Sequence, residues 1–231
     1  SFCSAIGGIG LNKSGFLSKY INWLYKMITV LDHPIVHNDI RILRDVRTGT
    51  EQFRNATYRI GLHLAVESTN DIDTLQTDVT TPLEITSGAI LEGKIIIVPV
   101  LRAGLGLINS FQSVFPDCIL GYIGLRRNES TFEPEEYYYS MPKINPKDKV
   151  ILLEIMLATG GSTAAALSKL QLDGAENITL VSVISAPEGV EKIRTEFPNV
   201  RIITAVLDRE LNNNKYILPG LGDAGDRYSG V

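Results

Sequence analysis

Residues 150–163, VILLEIMLATGGST, join an apolar run to an acid and then to a loop of Thr, Gly and Ser. Each residue type has a use there. A carboxylate at Glu154 can accept hydrogen bonds from a sugar diol. Gly160 and Gly161 let the backbone approach a ligand closely and adopt positive φ. Successive backbone N–H groups and the N-terminus of a helix capped by Ser162 favour a phosphate. Thr159 and Ser162 add hydroxyl donors. One acid beside one phosphate cradle suits a ribose 5-phosphate. On these residues alone a plain strand–turn–helix junction with a capping serine and no ligand stays open.

Two further junctions carry arginines. Residues 94–100, KIIIVPV, run into Leu101-Arg102-Ala103-Gly104, and a short strand at 118–121 is followed by Gly124-Leu125-Arg126-Arg127. A guanidinium fork matches the oxygens of a pyrophosphate. For Arg126 a solvated surface position is the preferred reading.

The elements that must position these groups follow from the apolar pattern. Continuous apolar runs mark strands buried on both faces at 94–100, 150–153, 179–184 and 201–207. Helical spacing marks residues 54–67, 104–115, 162–172 and 187–197, the last opened by Pro187 and closed before Pro198. Strand and helix alternate, so the expected fold class is α/β, a parallel sheet with crossover helices. In such a sheet ligands bind beyond the carboxyl ends of the strands, where the junctions above lie. Leu17, Tyr20, Ile21, Leu24, Ile28 and Leu31 repeat at helical spacing and predict an amphipathic helix within residues 1–31. Residues 32–231 then form one domain.

Composition narrows the function classes. The chain has 231 residues, 22 Lys and Arg against 26 Asp and Glu, and a net charge of −4. That balance gives nucleic acid no basic face, which weighs against an RNA-binding regulator. The apolar stretch at 16–31 is interrupted by Lys19, Asn22 and Lys26 and is too short and polar to span a bilayer. Cys3 and Cys118 make no disulfide framework, and with three histidines in no metal-ligand spacing no protein-held metal is expected. A reducing, cytoplasmic setting fits these figures.

Six stretches resemble the uracil phosphoribosyltransferase family of type I phosphoribosyltransferases. They are HPIVHNDIRILRDVRTGTEQFR (33–54), VPVLRAGLG (98–106), GYIGLRRNESTFEPEEYYYSMP (121–142), MLATGGS (156–162), SAPEGVEKI (185–193) and YILPGLGDAGDR (216–227). The resemblance implies the type I phosphoribosyltransferase-like fold with a hood built from the N- and C-terminal parts. It implies that phosphoribosyl pyrophosphate and uracil give uridine monophosphate and pyrophosphate. Arg102, Arg127 and Glu154 match the family's reactive centre. The donor site would comprise Arg102, Arg127, Glu154, Ile155, Met156, Leu157, Ala158, Thr159, Gly160, Gly161, Ser162 and Asp223. Ile217, Gly222, Asp223 and Ala224 would form the uracil site. Magnesium would arrive with the pyrophosphate, GTP is a possible activator, and a homo-oligomer is expected.

The chain departs from the family pattern at several points. Glu154-Ile155 stands where the family has Asp-Pro, and Asn128 where it has Asp. Ser140 replaces a lysine, and Ser229 and Val231 replace a phenylalanine and a threonine. These departures leave a second reading, a weakly active or inactive paralogue that binds donor or nucleotide as a sensor.

Overall fold

The computed structural model describes residues 28–127 and 134–231. In chain order its elements are β1 (Thr29–Val30), α1 (Pro34–Arg44), α2 (Thr50–Glu67), β2 (Thr74–Thr80), β3 (Ile85–Leu91) and β4 (Ile95–Leu101). A 3-10 helix (Ala103–Leu107) leads into α3 (Ile108–Val114), β5 (Ile119–Leu120), β6 (Tyr122–Arg127) and β7 (Pro134–Ser140). Then come β8 (Lys149–Leu157), α4 (Gly161–Leu172), β9 (Asn177–Ser185), α5 (Pro187–Glu196) and β10 (Arg201–Leu207). The short pair β11 (Glu210–Leu211) and β12 (Ile217–Leu218) and helix α6 (Ala224–Ser229) complete the chain.

The main sheet has the order β1-β10-β9-β8-β4-β6-β7, with β5 alongside β4. Its neighbours are parallel except β7, which runs antiparallel to β6. Side chains alternate between two apolar layers. Ile97, Ile151, Leu153, Val181 and Ile203 pack with α1, α2, the 3-10 helix and α3. Ile96, Val98, Val150, Leu152, Leu180 and Ile202 pack with α4 and α5 on the other face. Apolar side chains on both faces are why these strands read as unbroken hydrophobic runs.

The winding reverses between β4 and β8. From β8 the chain steps outward through α4 to β9 and through α5 to β10, with both helices on one face. From β4 it steps the other way, through the 3-10 helix and α3 to β5 and β6, with those helices on the opposite face. The carboxyl ends of β4 and β8 therefore flank a crevice that no crossover fills.

Several expected boundaries move. Strand β8 runs four residues beyond 153, because its ladder with β9 continues through Glu154 beside Ser182 to Leu157 beside Ser185. Glu154 is thus inside the strand. The expected helix at 104–115 divides into the 3-10 helix and α3, and the helix expected from residue 54 begins at Thr50. At the C-terminal end of the expected amphipathic helix, Thr29–Val30 instead extend the sheet beside Ile203 and Thr204. The rest of that helix lies outside the described residues. The hairpin β2–β3 and the helices α1 and α6 are additions that the apolar pattern does not mark.

An ion pair between a buried lysine and an exposed aspartate pins the amino edge of the sheet. Lys149 Nζ lies 2.7 Å from Asp71 Oδ2 and 2.9 Å from Asn177 Oδ1, and its side chain is 2 % exposed. Burial pushes the Lys149 ammonium below its ordinary value and Asp71 works against that. Asp71→Ala leaves the buried ammonium without its anion, so it is expected to lower unfolding free energy by about 2 kcal/mol. Chemical denaturation of the two proteins measures the difference.

Candidate active site

The loop after β8 is built by one left-handed residue. Gly160 has φ +75° and is the N-cap of α4. A Cβ there would also sit 3.1 Å from the Gly189 carbonyl oxygen of α5. The expected Ser162 cap is not made, since Ser162 is already the second residue of α4 and Gly160 occupies the capping position with no side-chain bond. Gly161 does not have positive φ, which belongs to Gly160 alone of that pair. The Ala186 N–H donates to Leu157 O at 2.8 Å, so the end of β8 is held by the strand-to-helix turn next door. The N–H groups of Gly161 and Ser162 begin α4 at its positive end, that of Gly161 donating to Thr159 Oγ1 at 3.4 Å.

Arg102 follows β4 directly, and the 3-10 helix folds its backbone against β8. A Cβ on Gly104 would fall 2.5 Å from Leu153 O, so only glycine permits that approach. Together the two junctions and β6 enclose a cavity of about 220 Å³ lined by Val100, Leu101, Arg102, Ala103, Leu125, Glu154, Met156, Ala158, Thr159, Gly160, Gly161, Ser162 and Thr163. It occupies the crevice where the winding reverses.

Glu154 is the acid of this cavity. It is 8 % exposed and accepts a 3.2 Å hydrogen bond from Thr163 Oγ1 in the first turn of α4. Burial pushes its carboxyl up to about 8, with the Thr163 bond opposing. In register with it across β9 and β10 are Ser182 and Thr204. Their hydroxyls are engaged in a buried chain, Ser182 Oγ to Ser185 Oγ at 2.7 Å and Ser185 Oγ to Thr204 Oγ1 at 3.0 Å. The acid is therefore held by the helix that carries the loop and faces a polar, uncharged row.

The expected site residues fall in several places. Arg102, Glu154, Met156, Ala158, Thr159, Gly160, Gly161 and Ser162 meet at the cavity. Ile155 and Leu157 are buried in opposite layers, Ile155 among the α1 and α2 contacts and Leu157 among those of α4 and α5. The Arg127 backbone ends β6 at the same sheet edge, and Asn128 lies outside the described residues. Arg126 is an exposed residue paired with Glu135 at 3.2 Å, the surface role read for it. Ile217, Gly222, Asp223 and Ala224 line a separate turn. Ile217 and Ala224 are buried there, while Gly222 and Asp223 are exposed. Asp223 caps α6, its Oδ1 accepting the Asp226 N–H at 3.1 Å. That turn is joined to the first junction through Tyr228, whose ring lies 3.0 Å from where a Cβ of Gly106 would stand.

Sequence reasoning missed the residues that hold this turn. Arg227 donates to Leu221 O and Asp45 O at 2.7 Å each and to Leu43 O, and its guanidinium lies 4.6 Å from the Phe53 ring centroid. Arg54 reaches Tyr228 O at 2.8 Å. The 33–54 stretch was the available signal, because it carries four arginines and has no strand or donor-loop role of its own.

A mostly parallel sheet with an arginine, an acid and a glycine-initiated helix around its reversal crevice defines a type I phosphoribosyltransferase. Comparison with known proteins narrows the class. The chain belongs to the uracil phosphoribosyltransferase family, whose model matches residues 30–230. It is 45% identical over 201 residues to the uracil phosphoribosyltransferase of Thermosipho melanesiensis, covering 87% of this chain and 97% of that one. It is 41% identical over 204 residues to the enzyme of that name from Salinibacter ruber, covering 88% and 97%. Among solved structures, the AQ2163 protein of Aquifex aeolicus superposes with a TM-score of 0.84 at 35% identity, covering 89% of this chain and 99% of that one.

The position of Glu154 gives stability a pH dependence. Its carboxyl titrates near 4.5 when unfolded and near 8 when folded, so the folded state holds the proton more tightly between those values. Unfolding then becomes easier as pH rises through that window and levels off above it. Glu154→Gln removes this dependence. Its melting temperature should gain on the wild type between pH 5 and pH 8.5, by roughly 2–4 °C for each kcal/mol recovered. Parallel thermal melts across that range check the trend.

Proposed function

We propose that the chain catalyses pentosyl transfer from phosphoribosyl pyrophosphate to uracil, giving uridine monophosphate and pyrophosphate, a pyrimidine-salvage reaction. The observation that carries the reading is the single crevice that gathers Arg102, Glu154 and the Gly160 turn. In this reading the 5-phosphate sits on the N–H groups of Gly161 and Ser162 with the Thr159 and Ser162 hydroxyls. Glu154 faces the ribose hydroxyls, and Arg102 with Arg127 neutralises the pyrophosphate. Uracil, held by the turn at 217–224, attacks the anomeric carbon through a ring nitrogen. The bond to pyrophosphate breaks, its electron pair leaves with the phosphate oxygen, and the ring proton passes to solvent. Because positive charge develops on the sugar and negative charge on the leaving group, catalysis here is mainly positioning and electrostatic stabilisation.

Magnesium fits this arrangement only as a passenger of the donor. Among the described residues no group of three or more His, Cys, Asp or Glu could hold a metal ion, and the cavity contains one buried acid. The cation would add positive charge to the pyrophosphate as it departs. The family resemblance adds GTP activation, a cytoplasmic setting and a homo-oligomer to the reading. The oligomer draws support from the β2–β3 hairpin, where Leu75, Val79 and Ile90 share one exposed face. No described helix is long and apolar enough to cross a membrane. Residues 32–231 are read as one domain, supported by two apolar layers that each span the same sheet. The relatives named above lend no support to a donor sensor without turnover.

The test is formation of uridine monophosphate from uracil, donor and magnesium. Arg102→Ala should weaken donor binding by about tenfold or more, since a charge-assisted bond is worth ~1.5–3 kcal/mol. Uracil binding should change far less, and titration calorimetry with each substrate reads the contrast. If Glu154 must be ionised to accept the diol, kcat/KM for the donor rises with pH up to about 8, and Glu154→Gln flattens and lowers that profile.

A further inference from the structure

Asp208, the first residue after β10, is buried at the foot of the 217–224 turn. Its Oδ2 accepts the Gly220 N–H at 2.8 Å. Arg44, the last residue of α1, donates from Nη2 to Asp208 Oδ1 at 2.5 Å and from Nη1 to both Asp208 Oδ2 and Gly220 O at 3.1 Å. Both backbone polar groups of Gly220 are thereby tied to one ion pair. Gly220 itself has φ +68°, and a Cβ would stand 2.2 Å from Ile217 O. The Asp208 side chain is 3 % exposed and that of Arg44 26 %. A carboxylate buried this deeply is stable only with its cation and bonds in place. A planar fork can meet the carboxylate and a neighbouring carbonyl at once, which a single ammonium cannot do in the same geometry.

The pair joins three distant parts of the chain. Arg44 ends α1, Asp208 ends β10, and Gly220 lies directly before Leu221, Gly222 and Asp223. Because the Asp208 N–H is itself bonded to Ser185 O at 2.8 Å, the anion is fixed to the sheet. Any rotation of the Gly220 peptide would break a bond to Asp208 or to Arg44. The backbone groups that follow, from Leu221 to Asp223, take their direction from that peptide.

We propose that Arg44 and Asp208 are positioning residues for base recognition, holding the Gly220 peptide so that residues 221–224 present a fixed edge to uracil. The inference rests on reading residues 217–224 as the base site. Neither residue touches substrate in it. Both act through Gly220.

The experiment compares steady-state kinetics of wild type, Arg44→Lys, Asp208→Asn and Gly222→Ala, with a thermal melt of each. Arg44→Lys keeps the charge on a partly exposed helix end, so it remains folded even if Asp208→Asn does not. The expected result is a rise in uracil KM of about tenfold or more for Arg44→Lys, with kcat and donor KM within about twofold of wild type. A purely structural pair would lower the melting temperature without splitting the two KM values, and that outcome overturns the proposal. So does a rise of uracil KM and donor KM in step. If uracil KM is unchanged in folded Arg44→Lys but rises in Gly222→Ala, the base site stands and the positioning role falls. If neither variant moves uracil KM, the base-site reading falls and takes the inference with it.

Discussion

The reversal of winding between β4 and β8 is the constraint on which the rest of the molecule depends. Two parallel neighbours whose following helices lie on opposite faces leave their carboxyl ends uncovered. The expected donor residues that meet at the cavity sit there. Arg102 leaves β4, the Gly160 turn leaves β8, and Glu154 looks into the gap from within the sheet. Were α3 and α4 on the same face, one would close the crevice.

Close backbone approach then sharpens the site. Gly104 lets the first junction lie against β8, and Gly160 lets the second turn under α5. The helix α4 links the loop to the acid, because Thr163 in its first turn holds Glu154. Loop, helix and acid are thus linked in one chain of contacts. The carboxyl that the sequence offers as a ready acceptor is in fact buried and inclined to keep its proton, since burial disfavours its charged form.

The C-terminal turn is organised by a different device. Ile217, Leu221 and Ala224 anchor it in the core, and arginines from three places close it. Arg227 and Arg54 fasten α6 to α1 and α2, and Arg44 with Asp208 fixes the peptide before the exposed residues. Backbone carbonyls accept most of these bonds, which suits a segment whose backbone is proposed as the recognition surface.

The strands β4, β8, β9 and β10 and the helices α4 and α5 were legible from the residues alone. A strand buried on both faces must be apolar throughout, and a crossover helix must repeat at 3.6, so both write themselves into local pattern. The MLATGGS segment was legible as a strand-to-helix junction, because glycine and hydroxyl residues after a buried strand mark a turn and a helix start, whereas a ligand there was not fixed by those residues alone. The boundary at Glu154 was not. An acid looks like the end of an apolar run, and only the ladder with Ser182 and the bond from Thr163 show that it lies inside. The Ser162 cap failed similarly, since a left-handed Gly160 is a conformation and not a composition. The surface place of Arg126 and the junction place of Arg102 were read from the residues, and tertiary structure alone decided which arginines clamp the C-terminal turn. Long-range partners such as Arg44 and Asp208, 164 residues apart, leave no periodic trace. A local pattern reports what a residue is buried against on its own element, and the bonds that orient a site run between elements.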